Sequence, residues 1–145
     1  MTACDAQDVA AMMAGEDAAY VAHFKPFAEP QGLVNACARA DKDIYVTLHF
    51  DGALAGLYML RGWDAGYARP SFGIYVASRY QGRGIAKFAL SHAESACRDG
   101  AVERMMLKVS AHNKVARGIY EAAGFQALGA CADTGHIMME KVLRG

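Results

Sequence analysis

A mixed α/β (α+β) fold, with one sheet carrying helices on both faces, is predicted by three features of the 145-residue sequence. Apolar residues recur at helical spacing over the first forty positions, and the period changes to two at Ile44. Asp51-Gly52, between two alternating runs, is a strong hairpin signal. Two further helical segments each fall between strands, so the order reads helices, then β-β-β-α-β-α-β-β. Consecutive hairpins with two crossover helices call for a mixed sheet covered on both sides. The length fits a single domain over residues 1–145.

Taken in order, Val9, Ala10, Met12 and Met13 form an apolar stripe after polar Asp5 and Asp8. Tyr20 to Phe27 is aromatic and broken by Pro26, which reads as a helix end and a loop. Pro30 suits a helix start, and Leu33, Val34, Cys37 and Ala38 follow at helical spacing until Asp41-Lys42-Asp43. Ile44 to Phe50 and Ala53 to Leu60 are the hairpin strands. A loop, Arg61 to Pro70, holds two glycines, a proline and the only tryptophan. Ser71 to Val76 is a third strand, and Ile85 starts a helix that Asp99-Gly100 ends. Met105 to Val109 is a fourth strand; Asn113 opens a helix with Ala116, Ile119, Tyr120 and Ala123 on one face, stopped at Gly124-Phe125. Gln126 to Cys131 and His136 to Val142 complete the set as a hairpin.

Composition excludes several classes of function. Apolar residues at 54% and charged residues at 21% rule out intrinsic disorder. Fifteen basic residues balance fifteen acidic ones, which argues against a protein that coats nucleic acid. No apolar run reaches the roughly 18–20 residues of a membrane span, and Met1 to Asp8 lacks the basic and apolar stretches of a secretory signal. Cys4, Cys37, Cys97 and Cys131 are scattered without a C-x-x-C pair, as expected of reduced thiols in a cytoplasmic protein. His49, His92, His112 and His136 share no metal-ligand spacing, so no metal is expected.

Chemistry concentrates between Ser71 and Ala86, where a strand passes through a Gly-rich turn into a helix. The N-terminus of a helix presents backbone N–H groups and partial positive charge, and glycines admit a ligand close to the backbone. Together they make a phosphate cradle, bracketed here by Arg79 and Arg83. The Walker spacing is absent, and a dinucleotide fingerprint fails because Lys87 takes its third glycine position. Gln81-Gly82-Arg83-Gly84-Ile85-Ala86 matches the pattern Gln/Arg-x-x-Gly-x-Gly/Ala of coenzyme A pyrophosphate loops. Further on stands Asn113-x-x-Ala116-x-x-x-Tyr120-x-x-x-Gly124-Phe125.

With the Asp51-Gly52 hairpin and the Phe72–Val76 strand, these two motifs make the chain resemble the GNAT superfamily of acyl-CoA-dependent N-acyltransferases from about Ile44 to Phe125. The resemblance implies a mostly antiparallel sheet with a V-shaped splay between the Ser71 and Met105 strands, and the pantetheine arm of acetyl-CoA lying in that gap. It implies that backbone groups of Ile74, Tyr75 and Val76 pair with the arm and that Gln81, Gly82, Arg83, Gly84, Ile85 and Ala86 hold the pyrophosphate. Asn113 would bond the pantetheine or its neighbourhood, and Tyr120 would protonate the departing thiolate. A tyrosine suits that task, because an O–H near pKa 10 keeps its proton at neutral pH. Relatives in this family are often dimers, so a homodimer belongs to the same expectation.

The acceptor is expected to be an amine on a small molecule or a peptide. Two segments are candidates for its pocket: Tyr20–Phe27, with Phe24, and Arg61–Tyr67, with Arg61, Trp63, Asp64 and Tyr67. Many relatives carry a glutamate general base near the start of the third strand, and Ser71–Val76 has no acid. An alkylamine is only about one part in 10³ neutral at pH 7, so supplying the nucleophile costs about 4–5 kcal/mol without help. Asp64, His49, His112 or a water wire on Ser71 stand as candidates for that help. The alternative reading is a non-catalytic acyl-CoA-binding sensor or regulatory module.

Overall fold

The computed structural model describes residues 3–17, 20, 30–130 and 136–143. The described helices are α1 (Ala3–Ala14), α2 (Pro30–Arg39), α3 (Ile85–Asp99) and α4 (Lys114–Ala122). Six strands, β1 (Ile44–Phe50), β2 (Ala53–Arg61), β3 (Ser71–Val76), β4 (Arg104–Ser110), β5 (Gln126–Ala130) and β6 (His136–Val142), form one sheet in the order β1-β2-β3-β4-β6-β5. The expected elements are present, with their described ends within a residue or two of those read from periodicity.

The hairpin turn has the backbone that its two residues favour. Asp51 and Gly52 both take positive φ, 51° and 79°, as a two-residue turn matched to strand twist requires. Beyond it the register shifts between Leu48 and His49, leaving Ala55 as the extra residue of a bulge. At the adjoining Gly56 a Cβ would lie 1.9 Å from the Tyr75 carbonyl oxygen, so only glycine lets β2 approach β3 this closely.

Helices cover both faces of the sheet. Val9 and Met13 of α1 and Leu33 of α2 bury Tyr45, Leu57, Met59 and Tyr75. On the opposite face, Ile85, Ala89, Leu90, Ala93 and Cys97 of α3, with Tyr120 of α4, bury Tyr58, Leu60, Phe72, Leu107 and Met139. Strand β2 is sandwiched between the two cores, which is why Leu57-Tyr58-Met59-Leu60 is apolar throughout instead of alternating.

All strand neighbours are antiparallel except β3 and β4, which the α3 crossover makes parallel. Their pairing is confined to Ser71↔Met106 and Phe72↔Leu107, with the Met106 N–H donating to the Pro70 carbonyl at 2.9 Å. Past that point Gly73–Val76 and Lys108–Ser110 have no pairing with each other. The sheet therefore carries the splay that the resemblance implies.

Candidate active site

Alternation along β3 decides which backbone groups face the gap. The Ala77 N–H donates to the Ala55 carbonyl at 2.8 Å, which makes that pair a hydrogen-bonded one. Counting back by twos through the antiparallel register, Tyr75 bonds to Leu57 and Gly73 to Met59. Ile74 and Val76 then turn their N–H and C=O groups toward β4, where no strand meets them. Tyr75, expected to pair with a ligand, has its backbone committed to β2 and its ring buried under α1 and α2. The Val76 carbonyl already accepts a 2.6 Å hydrogen bond from the Tyr20 hydroxyl, which in turn accepts one from Gln81 Nε2.

A cavity of about 770 Å³ opens at this splay. Ile74, Val76, Ala86, Asn113, Ala116, Ile119 and Tyr120 are among its lining residues, as are Gly73, Arg61, Lys108, His112 and His136. The motif spacing explains how α4 contributes. Asn113 caps the helix, its side-chain oxygen accepting from the Ala116 N–H at 3.2 Å, and Ala116 and Tyr120 follow on the same face, one and two turns on. The Tyr120 ring is held edge-on to Phe72 and Phe125, with centroids 6.4 and 6.1 Å away. Burial pushes the Tyr120 hydroxyl up to about 12, so it stays a proton donor across the physiological range.

The glycine turn sits at the C-terminal end of β3. Gly82 and Gly84 have φ of 76° and 78°, left-handed values that favour glycine. Gly84 is the N-cap of α3 with no side-chain cap, and the first helical bond runs from the Phe88 N–H to the Gly84 carbonyl. The amides of Ile85, Ala86 and Lys87 therefore have no acceptor within the helix. Arg83 lies over the Phe50 ring, 5.3 Å from its centroid, on the side where a second cavity of about 400 Å³ separates β1 from α3.

The expected acceptor residues are divided. Arg61 lines the large cavity; Trp63, Asp64 and Tyr67 do not. Asp64 instead receives the backbone N–H groups of Asp41 (2.9 Å), Lys42 (2.7 Å) and Asp43 (3.3 Å), which hold its carboxyl below the usual range. Asp43 reciprocates, accepting from Gly62 at 3.0 Å and Asp64 at 3.1 Å, so the pair clamps two loops together. Trp63 packs on the α3-side core, and Tyr67 is exposed. Phe24 lies outside the described residues, as does Cys131. Of the candidate bases, His112 and Ser71 line the cavity, whereas His49 lines the second one. Tyr20, the first residue of the expected Tyr20–Phe27 segment, also lines the cavity, and Lys108 and His136 are lining residues that the motifs did not select. Among the described residues no cluster of three or more His, Cys, Asp or Glu is placed to hold a metal ion, and no helix is long and apolar enough to cross a membrane.

Comparison with known proteins agrees with this geometry. An N-acetyltransferase of Bacillus subtilis, YycN, itself uncharacterized, is 44% identical over 55 residues, covering 38% of this chain and 34% of that protein. A second from the same organism, YdgE, also uncharacterized, is 35% identical over 74 residues, covering 44% and 46%. The matched segment thus spans less than half the length of either curated relative. The crystal structure of the microcin C7 self-immunity acetyltransferase MccE, in complex with acetyl-CoA and AMP, superposes with a TM-score of 0.78 at 15% identity, over 97% of this chain and 88% of that one, a likeness of fold. The sequence profile of the acetyltransferase (GNAT) family matches residues 11–125, which takes in the glycine turn, the splayed strands and the Asn113–Phe125 motif, and the chain belongs to that family.

Proposed function

We propose that the protein transfers the acetyl group of acetyl-CoA to a primary amine by direct attack within a ternary complex. The observation that carries the reading is the β3–β4 gap, with Ile74 and Val76 offering backbone groups along one edge and the glycine turn at its open end. The residues present fit the cosubstrate. The Ile85, Ala86 and Lys87 amides, with Arg83 beside them, suit a pyrophosphate. Ile74 and Val76 suit the amide groups of a pantetheine arm, as an added strand would. The cap at Asn113 uses the side-chain oxygen, so its NH₂ group is the part left to donate.

Bound acetyl-CoA supplies an activated acyl carbon: the amine nitrogen forms the C–N bond, the C–S bond breaks, and the thiol leaves. The Ile74 N–H, directed into the gap, polarises the thioester carbonyl. Tyr120 gives its proton to the sulfur, and the proton shed by the amine restores the phenol. His112, His136 and Ser71, whose hydroxyl can hold a water, border the cavity and are the candidates to collect the proton that the ammonium form sheds before attack. Arg61 is the acceptor contact retained from the sequence reading.

Calorimetry with acetyl-CoA and thiol release over a panel of amines test the proposal. Binding with thiol release supports it; absence of acetyl-CoA binding refutes it. Binding with no release from any amine would favour the sensor reading, toward which the lack of any Asp or Glu among the described lining residues points.

A further inference from the structure

Register across the splayed sheet gathers charge that no motif displays. Directly opposed residues share a face, so Arg61, Ser71, Met106 and Glu140 form one row across β2, β3, β4 and β6. Two residues further along the strands, Met59 and Gly73 continue this face on β2 and β3, and Lys108 and Met138 on β4 and β6. A Cβ at Gly73 would meet Met59 Cε at 2.9 Å, so the missing side chain leaves room for the Met59 side chain to lie over β3. Arg61 and Lys108 thus stand on either side of β3, at the closed end of the gap.

This end is remote from the glycine turn. Gly73 and Ser71 precede Val76 by three and five residues, about 10 and 17 Å at roughly 3.3 Å per residue. The cations there are badly placed to serve the pyrophosphate. They stand where an amine must arrive to reach the thioester. Among the described residues the cavity lining holds Arg61, Lys108, His112 and His136 and no carboxylate. Glu140, the acid of the first row, is held by Arg69 at 3.1 Å and Arg104 at 3.0 Å.

Resting on the acetyltransfer reading above, we infer that the acceptor is an amine that also carries an anionic oxygen group, a carboxylate or a phosphate, which Arg61 and Lys108 receive. The same charges assist the chemistry. A neighbouring cation disfavours the ammonium form and lowers the amine pKa, which helps to supply the neutral nucleophile on a strand with no glutamate. The anionic group offsets the repulsion that such a site would otherwise present to a protonated amine. Met59, level with Lys108 and lining the cavity, offers an adaptable apolar wall to the carbon chain between the two groups.

Matched acceptors test the assignment: an amino acid against its amide, phosphoethanolamine against ethanolamine, and a diamine as the cationic arm. Thiol release gives kcat/KM for each, corrected for its fraction of neutral amine, and calorimetry gives the acetyl-CoA Kd. The anionic member of at least one pair should lead by about tenfold or more, and added salt should shrink that lead. The carboxylate and phosphate pairs separate the two anion chemistries. Lys108 is exposed, so Lys108→Gln should fold normally. It should reduce the anionic-to-neutral ratio and leave acetyl-CoA affinity intact; Lys108→Glu should move preference toward the diamine. If acetyl-CoA binds and the neutral or cationic amines serve as well as the anionic ones, or no anionic amine reacts, the substrate class is wrong while the cosubstrate reading survives. Equal loss on both members of a pair in Lys108→Gln also overturns it. Failure to bind acetyl-CoA at all refutes the underlying reading instead.

Discussion

Tyr120→Phe isolates the proposed proton donor because it removes one oxygen and leaves the ring where it is. That ring is 9% exposed and fixed edge-on against Phe72 and Phe125, contacts that phenylalanine repeats. The size of the effect follows from acidity. Burial places the hydroxyl at about 12, whereas a free thiol sits near 8.5. Complete transfer between groups with those values would be uphill by about 4–5 kcal/mol. In the proposed role the donor would therefore work by hydrogen-bonding the sulfur as negative charge grows there, with the proton crossing late. General acids contribute about 10²–10⁴-fold, and the mismatch together with water entering the cavity puts Tyr120 at the lower end, about 10²-fold. Single-turnover acyl transfer with acetyl-CoA and acceptor both saturating should slow by that factor, with the calorimetric CoA Kd unchanged. The same pKa sets a stability signature. A folded-state value raised above the unfolded 10 gives a contribution fully present below pH 10 and lost as pH rises toward 12, amounting to about 2–3 kcal/mol, and the phenylalanine variant should lack this alkaline decline. An unchanged chemical step, or a CoA affinity that falls in parallel with the rate, would refute the role.

Gly84→Val puts a β-branched side chain at a φ of 78° in the turn, and should weaken CoA binding by tenfold or more in calorimetry while the circular dichroism of the fold persists. Asp64→Asn should lower the melting temperature without altering acceptor KM, because the carboxylate clamps the 41–43 loop instead of lining the cavity. Its depressed pKa adds stability that is present above the ordinary carboxylate range and lost as pH falls, so the wild type and this variant should converge in acid melts. Gly56→Ala drives a methyl group into the Tyr75 carbonyl and should cost about 1–3 kcal/mol in denaturant unfolding, with loss of the β2–β3 contact.

The elements that the sequence made legible are those encoded locally. The Asp51-Gly52 turn dictates its own backbone, Asn113 caps the helix that it begins, and Gly82 and Gly84 adopt the conformations their residue type permits. The β2 strand was readable because burial on both faces leaves an unbroken apolar run. The helix face carrying Ala116 and Tyr120 follows from a period of 3.6, so the part of the site that α4 supplies could be named by residue.

Long-range pairing is what the sequence conceals. Asp64, an acid among aromatics in a loop, has the composition of a binding residue; its partners are backbone amides some twenty positions earlier, and no spacing rule connects them. Tyr75 sits in the same strand as Ile74 and Val76, yet the two-residue alternation gives its backbone to β2 and theirs to the gap. That distinction depends on which β2–β3 pair is hydrogen-bonded, a fact fixed by the Ala77–Ala55 bond outside the motif. Lys108 is the sharper case. On its own strand it is one exposed polar residue between apolar ones, the ordinary pattern of a half-buried strand. It acquires meaning only when the crossover through α3 sets β4 parallel to β3 and the register carries Lys108 to the level of Gly73, two residues from the Ser71 that faces Arg61. The proposed cosubstrate side of the site is built from contiguous motifs because a turn and a helix can be specified within a few residues. The proposed acceptor side is built from single residues on separate strands, which sheet register alone brings together.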